Sequence, residues 1–217
     1  MTIEVTVVDY GSGNLFSVER ALEHCGAVVK MAHSPAEIDT ADLLILPGVG
    51  AFADGMQGLR ERGFVEPIVR HARAGKPLLG ICLGMQMLAT RSTEFGTHAG
   101  LGLIEGEVVA IPSTTTSGER QKTPRIGWAA LHRPAHCDDW AGTVMGAATP
   151  NEAMYLVHSF FFRPSDPSHV VSYYDHGGHE ITAAVQKGNI AGVQFHPEKS
   201  SEAGLRLLAN FLANGQR

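Results

Sequence analysis

The residue with the strongest claim to chemistry is Cys82. It lies in Gly80-Ile81-Cys82-Leu83-Gly84, directly after the apolar run Pro77–Ile81 and before a helical pattern running from Leu83 to Thr90. A G-x-C-x-G segment between strand and helix has the form of a nucleophile elbow, with sulfur in place of the usual hydroxyl. Such a turn strains its central residue and pushes that side chain outward, while flanking glycines leave room for neighbouring backbone. The helix N-terminus beneath the sulfur favours thiolate over thiol, and thiolate is the nucleophile. The competing reading is a small buried cysteine between closely packed glycines. A nucleophilic thiol needs a base, and His196 is the best placed of the 11 histidines. It closes the apolar run Ile190–Phe195, and Glu198 stands two residues on, with Pro197 between. In extended chain, residues i and i+2 point to the same side, so Glu198 could orient the imidazole and stabilise its cation. Pro197 would stiffen that geometry by fixing φ. The alternative is a turn whose polar residues cap the helix after Ser200.

These residues need a scaffold, and the hydrophobic pattern supplies one. Residues 3–8 (IEVTVV), 27–31, 42–46 (DLLIL) and 77–81 (PLLGI) read as strands. Between them, Leu15, Val18, Leu22 and Cys25 recur at helical spacing, and helices are expected over 52–62 and 65–74. Gly26, Gly63 and Gly75 fit helix stops. Strands apolar on both faces that alternate with helices indicate a parallel sheet covered on both sides. The second half reads as shorter, partly antiparallel strands at 108–111, 126–131, 153–159, 170–174 and 181–186, then an apolar strand at 190–195. A last helix over 201–213 carries Leu205, Leu208, Phe211 and Leu212 on one face. Pro112–Thr123 is polar and is expected to be an exposed, mobile loop. No linker divides the chain, so residues 1–217 are expected to form a single domain.

Composition narrows the function. The chain has 217 residues, 44% hydrophobic and 18% charged, which suits a globular protein large enough to need no disulfide or metal staple. The 17 basic and 22 acidic residues give a net charge of −5, and there is no Lys/Arg run, so neither a nucleic-acid nor a membrane partner is expected. Three cysteines, Cys25, Cys82 and Cys137, form no CxxC pair, which suits a reducing compartment. The start, MTIEVTVVDYG, has Glu4 and no basic stretch, and no apolar run approaches the ~20 residues of a membrane span. A cytoplasmic protein is therefore expected. Gly11-Ser12-Gly13 makes a poor dinucleotide fingerprint, because Phe16 stands where the third glycine belongs. His132, His136, Cys137 and Asp138 lie in a Pro-containing loop without a second ligand pair. Neither a cofactor nor a metal is expected.

Together the elbow Gly80–Gln86, the segment Gly192-Val193-Gln194-Phe195-His196-Pro197-Glu198-Lys199-Ser200 and the turn Pro47-Gly48-Val49-Gly50 resemble the class I, triad-type glutamine amidotransferases. More narrowly, the chain resembles the glutaminase subunits of imidazole glycerol phosphate synthases. That rests on Asp9-Tyr10-Gly11-Ser12-Gly13-Asn14-Leu15, Pro47–Phe52, Leu59–Arg62, Gly100–Ile104 and Val157-His158-Ser159-Phe160. The likeness runs along nearly the whole chain. It implies a three-layer, flavodoxin-like α/β fold with a mostly parallel central sheet and an additional antiparallel strand region. It also implies that Cys82 attacks the side-chain amide of L-glutamine to give a thioester and ammonia, that His196 acts as base and then acid, and that Glu198 orients it. By the same resemblance, backbone N–H groups of Leu83 and of Val49 or Gly50 form the oxyanion hole. Gly50, Gln86, Glu94, Ser159 and Phe160 contact the substrate. The implied partner is a (β/α)8-barrel cyclase in a heterodimer, which uses the ammonia to make imidazole glycerol phosphate and an aminoimidazole carboxamide ribotide in histidine biosynthesis. Asn14, Trp128 and Lys199 face that partner.

One stretch departs from the pattern. The family's Pro-His-Met-Gly-Trp-Asn is here Pro124-Arg125-Ile126-Gly127-Trp128-Ala129. A guanidinium does not replace an imidazole, and Ala has no side-chain hydrogen bond to offer. The change lies outside the triad and bears on partner docking or activation. It keeps two alternatives open: a glutaminase serving another synthase, such as a sugar-modifying one, and a stand-alone cysteine hydrolase.

Overall fold

Seven strands form the central sheet, and the reason is the run of strands that are apolar on both faces. The structure, a computed structural model, describes residues 3–215. In chain order the first half is β1 (Ile3–Val8), α1 (Leu15–His24), β2 (Ala27–Ala32), α2 (Pro35–Asp39), β3 (Leu44–Leu46), α3 (Phe52–Glu61), α4 (Val65–Arg73), β4 (Leu78–Ile81) and α5 (Leu83–Met87). Then come β5 (Arg91–Ser92), β6 (His98–Ala99), β7 (Gly106–Ala110), β8 (Arg125–Ala130), β9 (Ala153–His158), β10 (Phe160–Pro164), β11 (Val170–His176), β12 (His179–Lys187), β13 (Ile190–Val193) and α6 (Ser201–Asn214).

The central sheet has the order β11-β12-β13-β4-β3-β1-β2. Its pairs from β13 to β2 are parallel, while β12 joins β13 and β11 joins β12 antiparallel. Alternation along the strands divides the core. Val5, Val7, Ile45, Leu79 and Ile81 face α1 and α6, packing against Val18, Leu22, Leu207, Leu208 and Phe211. Leu44, Leu46 and Leu78 point the other way, toward Ile38, Phe52, Met56, Leu59 and Ile68 of α2, α3 and α4. Helices thus cover both faces, as the double-sided apolar strands require. A four-stranded sheet (β10-β7-β5-β6) and a two-stranded one (β8-β9) lie beyond it. A mainly parallel central sheet between helical layers, with added antiparallel strands, is therefore what the chain adopts, as expected.

The polar segment after Pro112 is exposed as expected, but it is docked. Thr116 N–H donates to the Gly177 carbonyl (2.8 Å), Gln121 Nε2 donates to the Pro112 carbonyl (2.6 Å), and Thr114 pairs with Arg120. Polar composition marked the exposure correctly; the segment is closed by its own hydrogen bonds, and the one to Gly177 docks it on the β11–β12 turn, 61 residues away in sequence, which the local pattern does not show.

The tightest approach in the fold is α5 against the sheet. A Cβ at Gly84 would collide with the Leu46 carbonyl, and one at Gly80 would meet Gly84 backbone at 2.7 Å. Both glycines have ordinary φ, so space is what demands them. Gly84→Ala is expected to cost about 3 kcal/mol by overpacking. For a chain of this size that lowers the thermal midpoint by roughly 6–12 °C, readable by thermal unfolding followed by circular dichroism. An unchanged midpoint would show that helix and sheet are not locked together here.

Candidate active site

Cys82 joins β4 to α5 at φ 54° and ψ −110°. A non-glycine residue in that region carries strain of order 1–3 kcal/mol and persists only when its surroundings hold it. Here Cys82 N–H donates to Val193 O at 2.8 Å, and its carbonyl accepts from Gln86 N–H at 3.2 Å in the first turn of α5. Strand β13 on one side and α5 on the other thus fix the elbow, and the thiol is left 7% exposed.

His196 and Glu198 come from the end of β13. His196 is itself extended, but Pro197–Lys199 form a 3-10 turn, so the two side chains meet across a turn instead of along a strand. His196 Nδ1 lies 2.9 Å from Glu198 Oε1, with both side chains almost fully buried. A carboxylate only accepts, so Nδ1 carries the proton, leaving Nε2 as the atom available to Cys82. Nε2 has no hydrogen-bond partner among the described residues. The histidine backbone is held by its N–H to Tyr155 O (2.9 Å) and its carbonyl to Ser200 Oγ (2.7 Å). Burial alone would lower the imidazole's pKa, but the Cys82 sulfur and the Glu198 carboxylate together outweigh burial and push it up to about 10. At neutral pH the proton therefore sits on the ring, and the pair rests as imidazolium facing sulfur.

These residues open onto a cavity of about 300 Å³ lined by Val49, Gly50, Cys82, Leu83, Gln86, Glu94, Ser159, Phe160 and His196. A larger cavity of about 890 Å³ lies at the opposite, N-terminal ends of the strands, and no cysteine or histidine lines it. Several expected substrate contacts are already engaged within the protein. Gln86 Nε2 donates to Phe160 O (2.8 Å) and to Gln194 Oε1 (3.0 Å), leaving its own carbonyl oxygen for a ligand. Glu94 Oε2 accepts from Phe52 N–H (2.7 Å) at the start of α3. Ser159 O accepts from Ile111 N–H (2.9 Å). Ser159 is the single residue between β9 and β10, where the chain leaves one sheet for another, and this corner borders the cavity.

The expected oxyanion donors are present but not free. Leu83 N–H donates to the Gly48 carbonyl at 3.3 Å. That carbonyl shares a trans peptide plane with Val49 N–H, so in this conformation Val49 N–H points away. Rotating that one plane by about half a turn would remove the blocking oxygen and present a second donor. The plane turns about Gly48 ψ and Val49 φ, and Gly48, having no Cβ, leaves one side of it free of side-chain obstruction. Ser12 Oγ holds the next carbonyl, Val49 O, at 2.9 Å.

Of the expected partner-facing residues, Asn14 is half-buried at the start of α1, where its Oδ1 accepts from Ser17 Oγ (2.9 Å). Lys199 is exposed, and Trp128 is 49% exposed beside the Tyr155 ring. Val49 and Ile126 add exposed apolar surface. The Arg125 guanidinium folds back onto the Ile126 and Trp128 carbonyls (2.6 and 2.7 Å), so it is occupied by its own strand.

Residues 6–214 match the family model for class I glutamine amidotransferases. The chain belongs to that family. Relatives named imidazole glycerol phosphate synthase subunit HisH 1 in Legionella pneumophila (strain Lens) and subunit HisH in Syntrophotalea carbinolica are 49% and 44% identical to it. They cover 96% and 95% of this chain, over 98% of each relative. Among solved structures, PurLQS from Thermotoga maritima aligns over all of both chains with a TM-score of 0.75 at 23% identity. A crystal structure titled glutamine amidotransferase reaches 0.71 at 20%, over 98% of this chain and 99% of its own. Those two bear on the fold.

Two buried residues at the site of this family member, one behind the sulfur and one lining the cavity, were not singled out from the sequence. Gln194 is fully buried, and its Nε2 lies 3.7 Å from Cys82 Sγ. Its signal was available, since an amide inside an apolar strand must find partners within the protein. His158 is also buried, with Nδ1 2.8 Å from Phe160 O and Nε2 2.9 Å from the Tyr174 hydroxyl. Burial pulls its pKa down to about 4, so it stays neutral while His196 is charged.

Glu198→Gln removes a negative charge that favours the His196 cation. The midpoint of His196 titration, followed by NMR of the ring protons, should fall from about 10 by at least about one unit. An unmoved midpoint would mean that Glu198 does not set the charge of the ring.

Proposed function

We propose that this chain is the glutaminase subunit of an imidazole glycerol phosphate synthase, hydrolysing L-glutamine to glutamate and ammonia as one cytoplasmic domain spanning residues 1–217. The observation that carries the reading is the strained Cys82 elbow sharing one small cavity with the buried His196–Glu198 pair. Near-full-length likeness to chains named as HisH subunits favours this acceptor over other synthases and over a stand-alone hydrolase.

The chemistry follows from the charges. Cys82 Sγ attacks the side-chain amide carbon of glutamine, and the carbonyl oxygen becomes an oxyanion. Leu83 and Val49 N–H groups stabilise it once the Gly48–Val49 plane has turned. His196, expected to act first as base, is already protonated and so acts first as acid: it gives its proton to the departing nitrogen, the C–N bond breaks, and ammonia leaves a thioester. The now neutral His196 takes a proton from water, which attacks the thioester. Collapse of that second intermediate releases glutamate and restores the ion pair. Gln86, Glu94, Ser159 and Phe160 hold the amino-acid end of glutamine, and Gly50 lets backbone approach it.

Ammonia in neutral water is mostly ammonium, which is not a nucleophile, so the product must pass to its acceptor protected. The partner in this reading is a (β/α)8-barrel cyclase. It covers the exposed side bearing Asn14, Trp128 and Lys199, and the exposed Val49, Ile126 and Trp128 suit an apolar interface there. A blocked oxyanion hole makes the isolated chain a poor glutaminase, and docking is the event that frees it.

Ammonia release from L-glutamine is the decisive assay. The chain alone should be slow, and adding a cyclase subunit with its ligand should raise the rate by at least about 100-fold, the value of one oxyanion donor. Cys82→Ala should abolish release in the complex while leaving synthesis from added ammonium salts intact. Full glutamine hydrolysis by Cys82→Ala would overturn the mechanism, and peptide hydrolysis indifferent to the cyclase would overturn the assignment.

A further inference from the structure

We propose that Gln194 is a further catalytic residue of the glutaminase reaction, its side-chain amide donating to Cys82 Sγ and holding the sulfur as an anion, with Gln86 as the positioning residue that fixes the direction of that amide. The inference deepens the reading above and rests on it for the role of Cys82.

The argument is one of hydrogen-bond directions. Phe160 O is a backbone carbonyl and can only accept. It lies 2.8 Å from Gln86 Nε2, so the nitrogen end of that amide faces it. The second hydrogen of the same nitrogen then meets Gln194 at 3.0 Å, which requires the oxygen end of Gln194 there. Gln194 Nε2 is thereby turned toward Cys82 Sγ at 3.7 Å. An amide nitrogen only donates, so this contact suits a thiolate and offers nothing to a thiol proton. His158 completes the anchor, since its Nδ1–H also donates to Phe160 O (2.8 Å) and its Nε2 accepts from the Tyr174 hydroxyl (2.9 Å). The chain of donors thus runs from Tyr174 and Gln86, through fixed acceptors, to the reacting sulfur.

Burial makes the arrangement matter. Gln194 is fully buried and Gln86 is 5% exposed, so no bulk water substitutes for either amide. The backbone of Gln194 is held as well, its N–H donating to Ala183 O at 2.8 Å. The titratable groups around the sulfur are His196 and Glu198 after β13, Tyr10 after β1, His158 and Tyr174 on β9 and β11, Glu94 after β5, and Arg125 on β8. Among the hydrogen bonds of the described residues, Gln194 is the one side chain that donates to Cys82 Sγ. It holds the thiolate on the side away from substrate, while His196 keeps its proton for the leaving nitrogen.

The test is the pH dependence of Cys82 alkylation by iodoacetamide, which needs neither glutamine nor cyclase. Gln194→Met keeps the length and removes the donor, and its alkylation midpoint should rise by about one unit, tenfold in the thiolate-to-thiol ratio. Gln86→Met, which lets the Gln194 amide rotate, should shift the midpoint the same way by less. Side-chain amide protons of Gln194 in the wild-type chain supply a measurement independent of any substitution at 194. They should move with the ionisation of Cys82 in an NMR pH titration and lose that inflection in Cys82→Ala. A folded Gln194→Met with an unmoved midpoint, or wild-type amide protons indifferent to Cys82, would overturn the proposal. If complexes with wild-type chain fail to hydrolyse glutamine while these shifts appear, the glutaminase reading fails and the hydrogen bond stands.

Discussion

The close approach of α5 to β3 and β4 is the constraint on which the site depends. At Gly84 and Gly80 there is no volume for even one methyl group. That contact drives the chain from strand to helix within a single residue and leaves Cys82 at φ 54°. Strain of order 1–3 kcal/mol at that residue is held by the ladder bond to Val193 and by the first turn of α5. The sulfur consequently emerges at a fixed point, at the end of the sheet where the strands β4 and β13 release their carbonyl ends. Ligand sites in open α/β sheets lie at that end for the same geometric reason.

Charge is managed around the sulfur by contrast between two buried histidines. His196 has a carboxylate on one nitrogen and sulfur near the other, and it keeps a proton. His158 has a carbonyl on one nitrogen and a phenol on the other, and it remains neutral. Both rings are almost completely removed from water, so burial is common to them and the partners decide the difference. Two cations side by side would cost far more than one in so small a space. Neutral His158 therefore adds no second positive charge beside His196.

In the proposed reaction, access to the oxyanion site turns on a single peptide plane. The carbonyl of Gly48 occupies the Leu83 N–H, which a tetrahedral intermediate would need. The turn is built from glycines and is tied to the Asp9–Asn14 loop through Ser12 and Val49. It also carries the exposed Val49 side chain toward the surface. A turn with these three properties couples whatever covers that surface to the oxyanion site a few ångströms below, without moving the triad.

Much of this was legible in residue order because its causes are local. Double-sided apolar strands between helices declare a parallel sheet, and the parity of Leu44, Ile45 and Leu46 already divides the two cores. The G-x-C-x-G spacing declares the elbow because the steric demand falls on neighbours in the chain, and His196 with Glu198 declares a pair because only Pro197 separates them. Their geometry was less legible: the sequence suggested an extended segment, and a 3-10 turn makes the contact. Short strands such as β5 and β6 and the helix α2 were also missed, since a few residues carry too little periodicity to register. What tertiary structure alone decided are the relations among residues distant in sequence. Gln86, Phe160 and Gln194 share one hydrogen-bond chain across 108 positions. Glu94 is committed to the start of α3, and the Gly48 carbonyl faces inward. Side-chain type determines what a group can donate or accept, but only the folded chain brings the partner and so decides which bond is made.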